Sequence, residues 1–121
     1  MKICLVVDDS DVIRKVAHCI LEDLQMVAVE AADGQEAIDQ CRAAMPDAIL
    51  LDWHMPNMAG VDVIPVLRKL ENGDRPTIFF CITMHDAKTI NLALSEGADH
   101  FILKPYDRDS IAAKFAEAGL I

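Results

Sequence analysis

The sequence predicts an α/β fold in which a five-stranded parallel sheet is covered on both faces by five helices, a doubly wound arrangement. Three observations carry this. Five short, mostly apolar runs alternate with stretches whose apolar residues recur at spacings of three and four. The runs are short and almost continuously apolar, as expected of strands buried on both faces. The chain is 121 residues long, with 53% hydrophobic and 26% charged residues, which suits one compact domain, residues 1–121, and no disordered tract.

The elements follow in order. Ile3 to Val7 is the first strand. Ile13, Val16, Ala17, Ile20, Leu21 and Leu24 mark the first helix, with Ser10 or Asp11 as its cap. Val27 to Ala31 is the second strand, and Asp33-Gly34 reads as a turn. Ala37, Ile38, Cys41 and Met45 mark a helix that Pro46 ends. Ala48 to Leu51 is the third strand, followed by a loop from Met55 to Gly60. The next helix is expected from about Asp62 to Leu70, which puts Pro65 in its first turn, where a missing N–H costs nothing. Asn72-Gly73-Asp74 is a turn and Thr77 to Ile82 the fourth strand. Ala87, Ile90, Ala93 and Leu94 mark a helix stopped by Gly97. Phe101 to Leu103 is the fifth strand. The last helix runs from Asp107 to about Ala118, with Ile111 and Phe115 on its apolar face.

Charge narrows the function. Lys and Arg number 11 against 20 Asp and Glu, a net charge of −9. Such a chain has no basic footprint for nucleic acid or an anionic membrane. Metal ions, or partners with a positive patch, fit better. The cysteines, Cys4, Cys19, Cys41 and Cys81, form no C-x-x-C and no metal-ligand spacing with histidine, so they are expected to be free thiols of a cytoplasmic protein. Asp8 and Asp9 end the first apolar run far short of a secretory signal, and no apolar run approaches a membrane span. The chain begins at Met1 and shows no linker, which favours a free-standing domain.

Chemistry collects after the strands. Asp8 and Asp9 follow the first strand, Asp52 the third, Thr83 the fourth and Lys104 the fifth. In an open parallel sheet these ends share one edge, where ligands bind. Grouped carboxylates repel unless a cation neutralises them. Lys104 supplies one charge, and a hard divalent ion such as Mg²⁺ would supply two. Asp52 is the candidate reacting group, since a carboxylate can attack phosphorus and form an acyl phosphate. The five glycines spell neither a P-loop nor a dinucleotide fingerprint, so the phosphoryl group must come from something other than a nucleotide held by this chain.

These residues resemble the receiver domains of two-component response regulators, and most closely the single-domain, chemotaxis-type members. The resemblance rests on Val7-Asp8-Asp9-Ser10, on Asp52-Trp53-His54-Met55-Pro56 with Gly60 beyond, on Ile82-Thr83 and on Lys104-Pro105. It implies a flavodoxin-like sheet of order 2-1-3-4-5. It implies that Asp52 is the phosphoacceptor for a histidine kinase or phosphotransfer protein. By the same resemblance Asp9 holds Mg²⁺ directly and Asp8 mainly through water, Asp52 and the backbone carbonyl of His54 complete the ligands, Lys104 is the family's lysine, and the Lys104–Pro105 bond is cis. Thr83 and Phe101 match the switch residues, which the family uses to reshape the face of the fourth helix, fifth strand and fifth helix for a downstream protein.

Met84 departs from the pattern, being bulky where the family usually has a small residue. His54 and His85 stand at loop positions that the family associates with dephosphorylation rate, and Met84 joins them as a candidate rate-modulating residue. Trp53 is expected to be a partly exposed loop aromatic beside the acceptor. The main rival is an Mg²⁺-dependent phosphatase with an aspartate nucleophile. That chemistry wants a second acid two residues after the nucleophile, where this chain has His54.

Overall fold

The computed structural model describes residues 1–55 and 58–121; Pro56 of the loop motif and the neighbouring Asn57 lie outside the described residues. The elements run β1 (Ile3–Val7), α1 (Asp11–Asp23), β2 (Val27–Ala31), α2 (Gly34–Ala43), β3 (Ala48–Asp52), α3 (Gly60–Arg68), β4 (Thr77–Ile82), α4 (Ala87–Glu96), β5 (His100–Leu103) and α5 (Arg108–Glu117). The strands pair in parallel in the order β2-β1-β3-β4-β5. This is the doubly wound flavodoxin-like topology. The order reverses at β1, so the crevice beyond the strand ends lies between the β1 and β3 loops.

Alternation along the buried strands splits the core into two layers. Leu5, Val7, Ile49, Leu51, Ile78 and Phe80 face the layer beneath α2, α3 and α4. Cys4, Val6, Ala48, Leu50, Phe79 and Cys81 face the layer beneath α1 and α5, where Phe115 lies against Phe79 with ring centroids 4.7 Å apart. Continuing that alternation past Val6 and Leu50 puts Asp8 and Asp52 on the α1/α5 side of the strand ends. Cys4, Cys41, Cys81 and the exposed Cys19 are all free.

Four helices start on a side-chain cap. Ser10 accepts from the Ile13 amide at 3.2 Å, which settles the α1 cap in favour of Ser10 over Asp11. Asp33, Asp86 and Asp107 cap α2, α4 and α5 in the same way. Asp33-Gly34 is thus a helix entry and not a free turn. Asn72 has φ 63° in the turn before β4, and Gly97 stops α4 with φ 122°, as its position in the sequence led us to expect.

α3 differs from expectation. It begins at Gly60 without a side-chain cap, so Pro65 stands inside the helix and not in its first turn. The missing N–H is tolerated because Val63, Ile64 and Leu67 on the same helix are fully buried. The early start also depends on glycine. A Cβ on residue 60 would lie 2.3 Å from the backbone oxygen of Asp52. α3 therefore enters directly against the end of β3.

Two residues assigned to apolar helix faces turn outward. Val16 is 44% and Leu94 41% exposed, each lying at the margin of its helix's buried stripe.

Arg68, at the end of α3, ties several segments together. It donates to the Gly97 carbonyl at 2.9 and 2.7 Å, to Gly73 at 3.0 Å and to Pro76 at 2.7 Å. It also reaches Asp99 at 2.9 Å, whose carboxylate accepts the Ile78 amide at 2.9 Å.

Candidate functional site

The strand ends bring the predicted acids together. Carboxylate oxygens of Asp8, Asp9 and Asp52 all lie within 4.8 Å of one another. Asp8 and Asp52 are buried, while Asp9 is exposed. Lys104 reaches in from the end of β5, its ammonium donating to Asp8 Oδ2 at 2.8 Å and to Asp52 Oδ1 at 3.0 Å. The Ser10 amide donates to Asp8 Oδ1 at 2.9 Å. Both oxygens of Asp8 are therefore engaged. The bond between Lys104 and Pro105 is cis, as the resemblance implied.

Electrostatics follow from this packing. Burial pushes the Asp52 carboxyl above its ordinary pKa, the hydrogen bond from Lys104 opposes this, and the charges of Asp8 and Asp9 push it up again. For Lys104, burial alone would weaken proton binding. The hydrogen bonds to Asp8 and Asp52 outweigh it, and the ammonium holds its proton above the ordinary value. One ammonium faces three carboxylates, so the site carries an excess of negative charge. Its donors are all oxygens and one of them is open to solvent, a set that fits a hard divalent cation.

The remaining candidates border the site. Asp9, Trp53, His54, Met55 and Ala59 line an open recess of about 420 Å³. Trp53 is half-buried, its ring meeting Phe80 edge-on at 4.8 Å. Thr83 follows β4, two residues beyond the Cys81 that registers with Asp52, and is exposed. It shares a second recess of about 270 Å³ with Trp53, His54, Met84 and Asp86. Met84 is 74% exposed, and His54 and His85 are exposed too. Phe101 is half-buried; His85 meets its ring edge-on at 5.6 Å, and the Lys114 ammonium stands 5.0 Å above it. The structure thus assembles the acids with Lys104, places His54 on the same rim, and sets Thr83, Met84, His85 and Phe101 on the adjoining side.

Two neighbours of the site were not anticipated. Tyr106 is 8% exposed with no hydrogen-bond partner for its hydroxyl among the described residues. Burial, with Cys81, Asp8 and Asp52 nearby, pushes its pKa well up, so it stays neutral. Arg14, on α1, donates to the backbone carbonyl of Asp8 at 2.5 Å. An aromatic after proline and an arginine on an amphipathic helix carry no signal of such contacts.

The comparisons with known proteins agree with this geometry. The family model for the response regulator receiver domain matches residues 4–116. A protein-glutamate methylesterase/protein-glutamine glutaminase of Methanospirillum hungatei is 36% identical over 104 residues, covering 84% of this chain but only 30% of that protein. The chemotaxis protein CheY of Halobacterium salinarum is 30% identical over 107 residues, 88% of each chain. Among solved structures, the Vibrio cholerae chemotaxis protein CheY4 superposes with a TM-score of 0.92 at 26% identity, covering 97% of this chain and 98% of that one. The receiver domain of a Pseudomonas aeruginosa sensor histidine kinase, with a magnesium ion coordinated in its active site cleft, gives 0.87 at 25% identity, covering 96% and 95%. With five parallel strands in the order 2-1-3-4-5 and an acidic cluster at their ends, this chain belongs to the response regulator receiver family.

Proposed function

We propose that the chain is a phosphoacceptor switch in which Asp52 takes a phosphoryl group from a phosphohistidine of a histidine kinase or phosphotransfer protein. The observation that carries this is the setting of Asp52: a buried carboxylate at a strand end, 3.0 Å from an ammonium and grouped with two further acids. A carboxylate oxygen of Asp52 bonds to phosphorus as the P–N bond to the donor imidazole breaks. The imidazole nitrogen keeps the electron pair and is protonated from solvent. Lys104 already stands on Asp52 and offsets charge that gathers on the phosphoryl oxygens. Asp8, Asp9, Asp52 and the His54 carbonyl would hold Mg²⁺, which when bound supplies positive charge to the same oxygens. Asp8, committed to Ser10 and Lys104, would act mainly through water, leaving Asp9 and Asp52 as the direct side-chain ligands.

The output is a protein contact on the α4-β5-α5 face. Phosphorylation puts a dianion within reach of the Thr83 hydroxyl, and a charge-assisted hydrogen bond outweighs a neutral one. Thr83 leads through Met84 to His85, whose ring touches Phe101 on β5. Beside Phe101, a recess of about 390 Å³ opens between β5 and α5, lined by Leu103, Ala113 and Lys114. The reading takes residues 1–121 as one receiver domain acting as a stand-alone, cytoplasmic regulator. Support comes from the 88% coverage of the Halobacterium chemotaxis protein, and no helix among the described residues is long and apolar enough to cross a membrane. The net charge of −9 supports a protein partner over nucleic acid.

Acetyl phosphate with Mg²⁺ tests the reading. Wild type should gain one phosphoryl group and Asp52→Asn none. Thr83→Ala should accept the group yet leave the α4 and β5 amide signals unshifted. A label on Asp52→Asn, mapped to another residue, would overturn the assignment.

A further inference from the structure

The peptide that joins Asp8 to Asp9 is held from outside the acidic cluster. Asp8 still donates its amide to the Ala31 carbonyl at 3.1 Å, but the β1–β2 register ends at Val7↔Ala31. No further β2 amide lies in register with the Asp8 carbonyl, and a carbonyl at a strand end needs a donor. Arg14 provides it. The guanidinium is committed on every nitrogen: Nη1 to the Asp8 carbonyl at 2.5 Å, Nε to Glu30 on β2 at 3.2 Å, and Nη2 to Asp11. Its side chain is only 11% exposed. Glu30 is itself steadied by His18 of α1, Nδ1 to Oε2 at 3.0 Å.

The consequence falls on Asp9. The carboxylate of Asp8 is fixed independently, by Ser10 and Lys104. No hydrogen bond anchors the Asp9 carboxylate among the described residues, so where it points depends on the backbone that presents it. A carbonyl and the following amide share one rigid plane, and holding the Asp8 oxygen therefore sets the direction in which the chain enters Asp9. We propose that Arg14 is a positioning residue for the cation site: braced on Glu30, it locks the Asp8–Asp9 peptide plane and so aims the exposed Asp9 carboxylate at Asp52. This rests on the reading of Asp8, Asp9 and Asp52 as an Mg²⁺ site.

The test is a titration of the full chain with Mg²⁺, followed by the fluorescence of Trp53, the only tryptophan. Removing a group that orients a metal ligand typically weakens binding about tenfold or more. Arg14→Ala should raise the Mg²⁺ Kd about tenfold. Arg14→Lys keeps a donor for the Asp8 carbonyl but not the fork to Glu30, and should stay within about threefold of wild type. Arg68→Lys, destabilised at a site remote from the acids, should leave the Kd unchanged, which separates aiming from general loss of stability. If Arg14→Ala does not fold, Arg14→Met, which keeps the stem but no N–H donor, takes its place with the same threshold. A wild type that binds no Mg²⁺ would overturn the site reading and this proposal with it. A wild type that binds, with Arg14→Ala within about twofold of it or with Arg14→Lys as weak as Arg14→Ala, would overturn the positioning role alone.

Discussion

Replacing Lys104 by methionine removes the one ammonium among three carboxylates while keeping the bulk of the stem. Its side chain is 9% exposed, and those of Asp8 and Asp52 are 1% and 6% exposed. At an effective dielectric of about 20, attraction across 2.8 and 3.0 Å is about 5–6 kcal/mol for each pair before desolvation is counted. Burying the ions offsets much of that. The measurable loss is what remains when one partner of a buried pair is deleted, about 3–5 kcal/mol. The loss should depend on pH. The Asp52 carboxyl has a folded-state pKa raised by burial, so its protonation favours the folded state at low pH, and that contribution fades as pH rises through the folded-state value. Lys104, whose pKa is also raised, contributes fully below its unfolded value and loses its contribution only at alkaline pH. Without Lys104 the Asp52 carboxyl loses the hydrogen bond that lowers its pKa, so the variant takes up a proton more readily and recovers stability in acid. Urea unfolding of wild type and Lys104→Met should show the full deficit near about pH 7.5 and a clearly smaller one near about pH 5. A deficit below about 1 kcal/mol at the higher pH, or one equal at both, would refute the argument.

Three further outcomes are expected. Arg68→Ala strips charge-assisted bonds from four acceptor groups and should cost about 3 kcal/mol or more in urea unfolding, with Arg68→Lys restoring less than half of it. Gly60→Ala drives a Cβ into the Asp52 backbone oxygen; it should cost about 1–3 kcal/mol and shift Trp53 emission, because the collision falls at the β3 end where Trp53 begins. Met84→Ala should speed hydrolysis of the phosphorylated form by admitting water. His54→Ala/His85→Ala should hydrolyse no more slowly than wild type, and a clearly slower double variant would show that imidazole assists the water.

The sheet and most of the site were legible in the sequence for one physical reason. A parallel strand buried on both faces must be apolar throughout, so the polar residue that ends it is conspicuous. Asp8, Asp52, Thr83 and Lys104 were located that way. Helix entries were less legible. α3 starts two residues early because Gly60 can lie against the Asp52 backbone, a tertiary contact with no periodic signature, and Pro65 was misplaced in consequence. Lys104 was legible as the charge that neutralises the grouped carboxylates, and it does pair with Asp8 and Asp52; the roles of Arg14 and Arg68 were not legible at all. Arg68 acts largely on backbone carbonyls, and Arg14 on the Asp8 carbonyl and the Glu30 carboxylate, groups brought close only by folding. The outward turn of Val16 and Leu94 has a similar origin, since periodicity finds an apolar stripe without fixing how wide a part of it the sheet covers.

Arg68 also gives α4 a fixed end and a free end. Its guanidinium holds the Gly97 carbonyl at the C-terminus of the helix, and through Asp99 it is tied to the Ile78 amide at the base of β4. The opposite end, from Thr83 to Lys88, is exposed. α4 is therefore mounted as a lever with its pivot at the bottom of the sheet and its free arm beside the acidic cluster. A pull on the β4–α4 loop would swing that arm about the pivot, with the displacement expected to be greatest at Ala87 and least toward Gly97. In the proposed switch, surface residues near the free arm would then sense the state of the site, and those near the pivot would only bear the load.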